Sequence, residues 1–89
     1  MQVIVEKKCD KFLSKQVIGD KKGITKVNDF LKILEKTPEP TKLPNAKKMQ
    51  GYSKNIWRWR VGQYRIVGEV KENELLIYII EISTRENAY

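Results

Sequence analysis

Between Thr41 and Gly68 the chain carries Lys42, Lys47, Lys48, Lys54, Arg58, Arg60 and Arg65, and no Asp or Glu. Ordinary protein surfaces intersperse both signs, which limits self-repulsion. A one-signed run of this length raises local repulsion that a bound polyanion relieves. The three arginines are the sharpest part of the signal. Each guanidinium offers a planar fork that matches phosphate oxygens and keeps its proton near neutral pH. Such groups hold phosphate and stabilise the charge that grows on it during transfer.

Period 2 sharpens the pattern. In Ile56-Trp57-Arg58-Trp59-Arg60 the tryptophans point to one side of a strand, and Ile56, Arg58 and Arg60 to the other. Arg58 and Arg60 then stand about 7 Å apart, the i,i+2 repeat of a strand. That distance is comparable to the separation of adjacent phosphates in a nucleic-acid strand. The competing reading is structural. Sheet arginines often pair with cross-strand carboxylates, here Glu69 or Glu81. Trp57 and Trp59 are more often packing residues than base-stacking platforms, and Tyr52, Tyr64 and Tyr78 read the same way. There are more guanidiniums than local carboxylates to neutralise them, which favours the functional reading.

Composition bounds the remaining chemistry. Lys and Arg total 18 against 11 Asp and Glu, a formal charge of +7, and there is no histidine. The partners to consider are nucleic acid, an anionic membrane surface or an acidic protein. Cys9 is the only cysteine, so a secreted disulfide scaffold is excluded, as are a thiolate zinc site and a Cys/His nucleophile pair. Cys9 reads as a core residue. No stretch approaches the ~20 apolar residues of a membrane span. Met1 to Glu6 is charged too early for a signal peptide, so the cytoplasm is the expected compartment. Eighty-nine residues predict one domain spanning 1–89.

The elements that must position these residues are legible in outline. Gln2 to Glu6 is rich in β-branched residues and reads as a strand. From Lys8 the period changes, with Cys9, Phe12, Leu13, Gln16 and Val17 on one helical face. Gly19-Asp20 breaks this helix, and Asp20 is placed to cap the next, from about Lys21 to Lys36. That helix carries Ile24, Val27, Phe30, Leu31 and Leu34 inward, and Gly23 weakens its first turn. Thr37-Pro38 ends it, and Pro40 and Pro44 keep the next segment extended. Ile56–Val61, Gln63–Val70 and Leu75–Ile82 read as strands, with a tight hairpin turn at Glu72-Asn73. The short turn at Gly62 fits either one long bent strand or a hairpin with a bulge. The predicted fold class is α+β: a helical hairpin packed on a small, mostly antiparallel twisted sheet, in the order β-α-α-β-β-β.

Taken together, these segments resemble a known family. Trp57-Arg58-Trp59-Arg60-Val61-Gly62-Gln63-Tyr64-Arg65-Ile66-Val67 resembles the "R-x-G-x-Y-R-hydrophobic" strand pair of the RelE/ParE superfamily of bacterial toxins. Lys48-Met49-Gln50-Gly51 is similar to the "K-L-x-G" segment before those strands. Lys71 to Tyr78 is similar to the charged turn and apolar strand after them, and Arg85 followed by Tyr89 resembles the closing "R-x-x-x-Y". With the two helices, the likeness covers nearly the whole chain.

The RelE-like branch consists of ribonucleases that cut messenger RNA in the ribosomal decoding site. The resemblance implies a cut without metal or cofactor, in which the substrate's 2'-hydroxyl attacks the adjacent phosphate and leaves a 2',3'-cyclic phosphate. Carried over by position, it implies that Arg65 holds the scissile phosphate, Arg58 stands in the same site, Arg85 assists the leaving oxygen, and Tyr89 stacks on a base or orients the nucleophile. Arg60 is expected on a neighbouring phosphate, and Lys47, Lys48 and Lys54 on ribosomal RNA. The chain departs from the pattern in placing Ile56 where some members have a second basic residue. It also has arginine at position 58, a poor general base, and Ser83-Thr84 before Arg85. Lys54 would replace such a base only if its loop brought it close and burial lowered its pKa.

Two other functions compete: a ParE-like, non-enzymatic inhibitor of DNA gyrase, and a basic RNA-binding module without catalysis. Either toxin reading implies an acidic antitoxin partner, with operator DNA bound through the toxin–antitoxin complex.

Overall fold

The structure is a computed structural model that describes residues 1–84. The chain begins with β1 (Gln2–Val5), followed by α1 (Lys7–Gly19) and α2 (Lys21–Lys36). The four strands β2 (Ala46–Lys48), β3 (Ile56–Val61), β4 (Tyr64–Lys71) and β5 (Leu76–Thr84) complete it. The helical hairpin forms where the sequence calls for it. Asp20 caps α2 by accepting a hydrogen bond from the Gly23 N–H at 3.0 Å. Its own N–H closes α1 on the Gln16 carbonyl at 2.9 Å. Thr37 ends α2 through the Ile33 carbonyl, and Pro38 cannot continue the ladder. None of the described helices is long and apolar enough to cross a membrane.

The strands form one sheet in the order β1-β5-β4-β3-β2, with β1 parallel to β5 and all other pairs antiparallel. The α+β class and the helical hairpin on a mostly antiparallel sheet therefore hold. One short strand is added, β2, in the segment that reads only as extended from its prolines. Both hairpin turns also differ from expectation. Val61 pairs with Tyr64, so Gly62-Gln63 is a two-residue loop rather than a bent strand or a bulged hairpin. Gly62 has φ +59°, which suits the first position of such a loop. The β4–β5 turn is longer than the tight turn expected at Glu72-Asn73. A short 3-10 turn over Glu72–Glu74 leads to Leu75 at φ +52° before Leu76 pairs with Lys71.

The helices cover one face of the sheet. Cys9 and Leu13 from α1 and Ile24, Val27, Phe30, Leu31 and Leu34 from α2 meet Trp59, Tyr64, Ile66, Val70, Ile77, Ile79 and Ile82. Cys9 is a core residue, as its sequence context suggests; burial pushes its thiol above the ordinary range. A β-bulge decides which side chains reach this core. Val67 pairs with Glu81 but Gly68 pairs with Ile79, so Ile80 is the extra residue. The bulge reverses the alternation of β5. Ile77, Ile79 and Ile82 all point at the helices, while Glu81 and Ser83 share the opposite face. Gly68 sits at the crossing point, where a Cβ would come within 3.1 Å of Ile79 Cδ1 and 3.2 Å of Ile77 Cγ2.

Candidate phosphate-binding face

The face away from the helices carries the arginines. Antiparallel partners share a face, so the register assembles the site in rungs. Arg60 of β3 stands opposite Arg65 of β4, and Arg65 stands opposite Ser83 of β5. In the next rung Lys47 of β2 faces Arg58, then Val67, then Glu81. The third rung places Ile56 opposite Glu69, and Glu69 opposite Tyr78. The charge is therefore concentrated at the Gly62 end of β2, β3 and β4, and the two carboxylates flank it.

The Arg60–Arg65 rung is the closest like-charge placement on the face. The Arg60 N–H donates outward to the Asn45 carbonyl at 3.3 Å, so Arg60 and Arg65 form a non-hydrogen-bonded pair. Their Cβ atoms are then about 4.5–5.5 Å apart, a spacing at which opposed like charges destabilise a sheet.

Several contacts fix the geometry. Asn45 is a hub: its carbonyl accepts from Arg58 Nη1 at 3.1 Å as well as from the Arg60 N–H, and its Nδ2 donates to the Arg60 carbonyl at 2.9 Å. Met49 lies against Arg65, whose Nη2 points at the thioether sulfur at 3.3 Å. Beneath the cations lies a small apolar floor. Ile56 and Val67 are 3% and 4% exposed although they face away from the helices, and they are separate from the main core. An aliphatic floor lowers the local dielectric and strengthens the field of the neighbouring guanidiniums.

Behind the face, Tyr64 anchors β4 to the helices. It is 2% exposed, meets the Phe12 ring edge-on at 6.2 Å, and donates its hydroxyl to Asp20 Oδ2 at 2.7 Å. That hydrogen bond, then the Gly23 N–H, holds the Asp20 carboxyl below its ordinary range. Burial, then the same carboxylate, pushes the Tyr64 phenol up. Gly23 is required here, because a Cβ at that position would lie 2.8 Å from both Tyr64 Cε2 and Asp20 Cγ.

The expected site residues separate on this frame. Arg58, Arg60, Arg65 and Lys47 share one face, the first and third partly buried and the others exposed. Lys48 pairs with Trp57 and so belongs to the helix-side face at the β2 edge. Lys54 is exposed in the segment between β2 and β3, with its carbonyl accepting from the Ile56 N–H. Arg85 and Tyr89 lie outside the described residues. The tryptophans are structural: Trp59 is fully buried with Nε1 donating to the Pro40 carbonyl at 3.0 Å, and half-buried Trp57 donates to Asn55 Oδ1 at 2.9 Å. Sequence reasoning missed Asn45 and Met49. Asn45 reads as an ordinary turn residue after Pro44, and Met49 stands inside the segment Lys48 to Gly51 with no sign of its contact.

A helical hairpin backing a mixed five-stranded sheet, with arginines gathered on the open face, defines the class as the RelE/ParE superfamily of toxins. The family described as "ParE toxin of type II toxin-antitoxin system, parDE" matches residues 7–89, and the chain belongs to it. Among solved structures, a chain of the archaeal RelE–RelB complex from Pyrococcus horikoshii OT3 is similar, at 26% identity and a TM-score of 0.77. The alignment covers 98% of this chain and 97% of that one. Comparison with curated proteins gives no match.

Proposed function

We propose that this toxin is an endoribonuclease that cuts messenger RNA in the ribosomal decoding site. The observation that carries the reading is the Arg60–Arg65 rung, with Arg58 and Lys47 on the next rung of the same face. In the proposed step the 2'-oxygen attacks the adjacent phosphorus and the bond to the 5'-oxygen breaks. The 2'-hydroxyl proton leaves to a base, and the 5'-oxygen takes up a proton. Arg65 holds the scissile phosphate, and Arg58 adds positive charge as the phosphorane forms. From the resemblance, Arg85 is assigned to the leaving oxygen, and Tyr89 to stacking on a base or orienting the nucleophile. Lys48, on the helix-side face, and exposed Lys54 suit contacts with ribosomal RNA. The RelE–RelB complex of the structural neighbour supports an antitoxin partner; an acidic antitoxin that covers the basic face, and operator DNA bound through the complex, are part of the proposal.

Primer extension on translated messenger RNA tests this. Wild-type protein should produce ribosome-dependent cuts, and Arg65→Ala should reduce them by about 10²–10³-fold, the usual effect of removing one transition-state charge contact. No cuts by folded wild-type protein would refute the proposal. The family description, a ParE toxin, favours the ParE-like alternative as the second reading; that alternative inhibits DNA gyrase without cleavage. Loss of supercoiling activity in a purified gyrase assay, with messenger RNA intact, supports that reading.

A further inference from the structure

The geometry points to Tyr52 as a platform on which one base of the message stacks, beside the phosphate that Arg65 holds. The inference rests on the ribonuclease reading and adds a base-recognition residue to it. Sequence patterning reads Tyr52 as a packing residue, yet it is 53% exposed in the structure. Among the described residues its hydroxyl takes part in no hydrogen bond and its ring in no aromatic pair. Exposure by itself is ordinary. Position is what singles Tyr52 out.

Met49 closes one root of the β2–β3 loop, its N–H donating to the Ile56 carbonyl at 2.8 Å. Its sulfur meets Arg65 Nη2 at 3.3 Å, so the Arg65 guanidinium reaches this root. Gln50 and Gly51 then turn the chain, and Gly51 at φ +86° suits the third position of a type II turn. Met49 and Tyr52 are the ends of that turn, which keeps their Cα atoms within about 7 Å. Tyr52 therefore stands one turn from the residue that touches the Arg65 guanidinium. The other root is fixed by Asn55. Its Nδ2 donates to the Val70 carbonyl at 3.2 Å, its Oδ1 accepts from Trp57 Nε1 at 2.9 Å, and its carbonyl accepts from the Val70 N–H at 2.9 Å. A ring on a loop held at both ends needs little further ordering when a base stacks on it.

The surrounding charge suits a nucleotide. Lys48 and Lys54 flank the loop, and no carboxylate occurs between Thr41 and Gly68. Tyr78, also exposed, stands opposite Glu69, whose charge repels a phosphodiester. Bases of single-stranded RNA stack on aromatic rings beside a cationic track, and of these two tyrosines only Tyr52 offers both.

Single-turnover cleavage of messenger RNA on programmed ribosomes tests the assignment. Stacking is equal before and during the reaction, so it acts on binding. Tyr52→Ala should raise the half-saturating toxin concentration about tenfold, the scale of one lost base–aromatic stack. It should keep the maximal rate within about twofold. Tyr52→Phe should match wild type, because the ring carries the stack, and Tyr52→Leu should resemble Tyr52→Ala. Abasic nucleotides placed one at a time around the cut supply a second readout. At one position next to the cut, the missing base should weaken wild-type binding about tenfold and cost Tyr52→Ala nothing further.

If wild type cuts and Tyr52→Ala, shown folded by its melting temperature, has wild-type half-saturation, the platform assignment is wrong and the ribonuclease reading survives. The same holds if the abasic penalty adds to that of Tyr52→Ala at every position. If wild type does not cut at all, both fall together.

Discussion

Replacing Gly23 with alanine tests the packing behind the site. Alanine in place of glycine within a helix ordinarily stabilises by about 1 kcal/mol. The local geometry predicts the opposite sign. The new methyl would lie 2.8 Å from Tyr64 Cε2 and 2.8 Å from Asp20 Cγ, well inside normal contact. Tyr64 has nowhere to retreat, since it is 2% exposed and held by the Phe12 ring and the Asp20 carboxylate. Overpacking of this kind costs about 1–3 kcal/mol. Setting the helix gain against its middle leaves a net loss of roughly 1 kcal/mol, or about 4–8 °C in Tm for a domain of this size. Urea unfolding followed by tryptophan fluorescence reports it, because Trp59 lies in the same core. Tyr64→Leu removes the ring edge but leaves the Asp20 carboxylate in place, so in that background Gly23→Ala should cost less than in the wild type. A higher urea midpoint for Gly23→Ala in the wild-type background would refute the argument.

The Tyr64–Asp20 hydrogen bond also sets a pH dependence. Asp20 titrates below its ordinary 3.8, so its contribution is present above that pH and is lost as pH falls through the lower folded value. Tyr64 titrates above 10, so its contribution is present below pH 10 and is lost as pH rises through the higher folded value. Tyr64→Phe should therefore remove part of the alkaline loss and shrink the acid loss; identical Tm–pH curves for both proteins would contradict this. Leu75→Gly should stabilise by up to about 1 kcal/mol, because Leu75 is 64% exposed and holds φ +52°, a conformation that costs a branched side chain about that much. A lower urea midpoint for this variant would count against the assigned turn.

The activity experiments bear on separate parts of the face. Arg65→Ala asks whether a phosphate is processed at all. The alternative of gyrase inhibition is decided by which target responds to the purified toxin. Folding and function are partly separable here. Arg60 and Lys47 are exposed, so their removal should alter substrate handling with little change in melting temperature.

Much of the architecture was legible in local sequence. The 3.6-residue spacing of Ile24, Val27, Leu31 and Leu34, the cap at Asp20 and the stop at Thr37-Pro38 are local signals, and α2 begins and ends where they say. Alternation through Ile56 to Arg60 assigned opposite faces to the tryptophans and the arginines, because side-chain direction in a strand depends on parity alone. Other features depended on contacts between distant segments. β2 is three residues long and exists only because Ala46, Lys47 and Lys48 find Trp59, Arg58 and Trp57. The bulge at Val67/Gly68 breaks parity in β5, and nothing in Leu76 to Thr84 by itself announces where. Gly23 looked like a weak helix start until Tyr64, far along the chain, was seen to occupy the space a Cβ would need. The amino-acid sequence by itself determined which side chains carry charge and which parity each strand gives them. Tertiary structure alone decided that Arg60 faces Arg65 and that Lys47 joins Arg58 while Lys48 does not, because register is a property of paired strands and is absent from either strand alone.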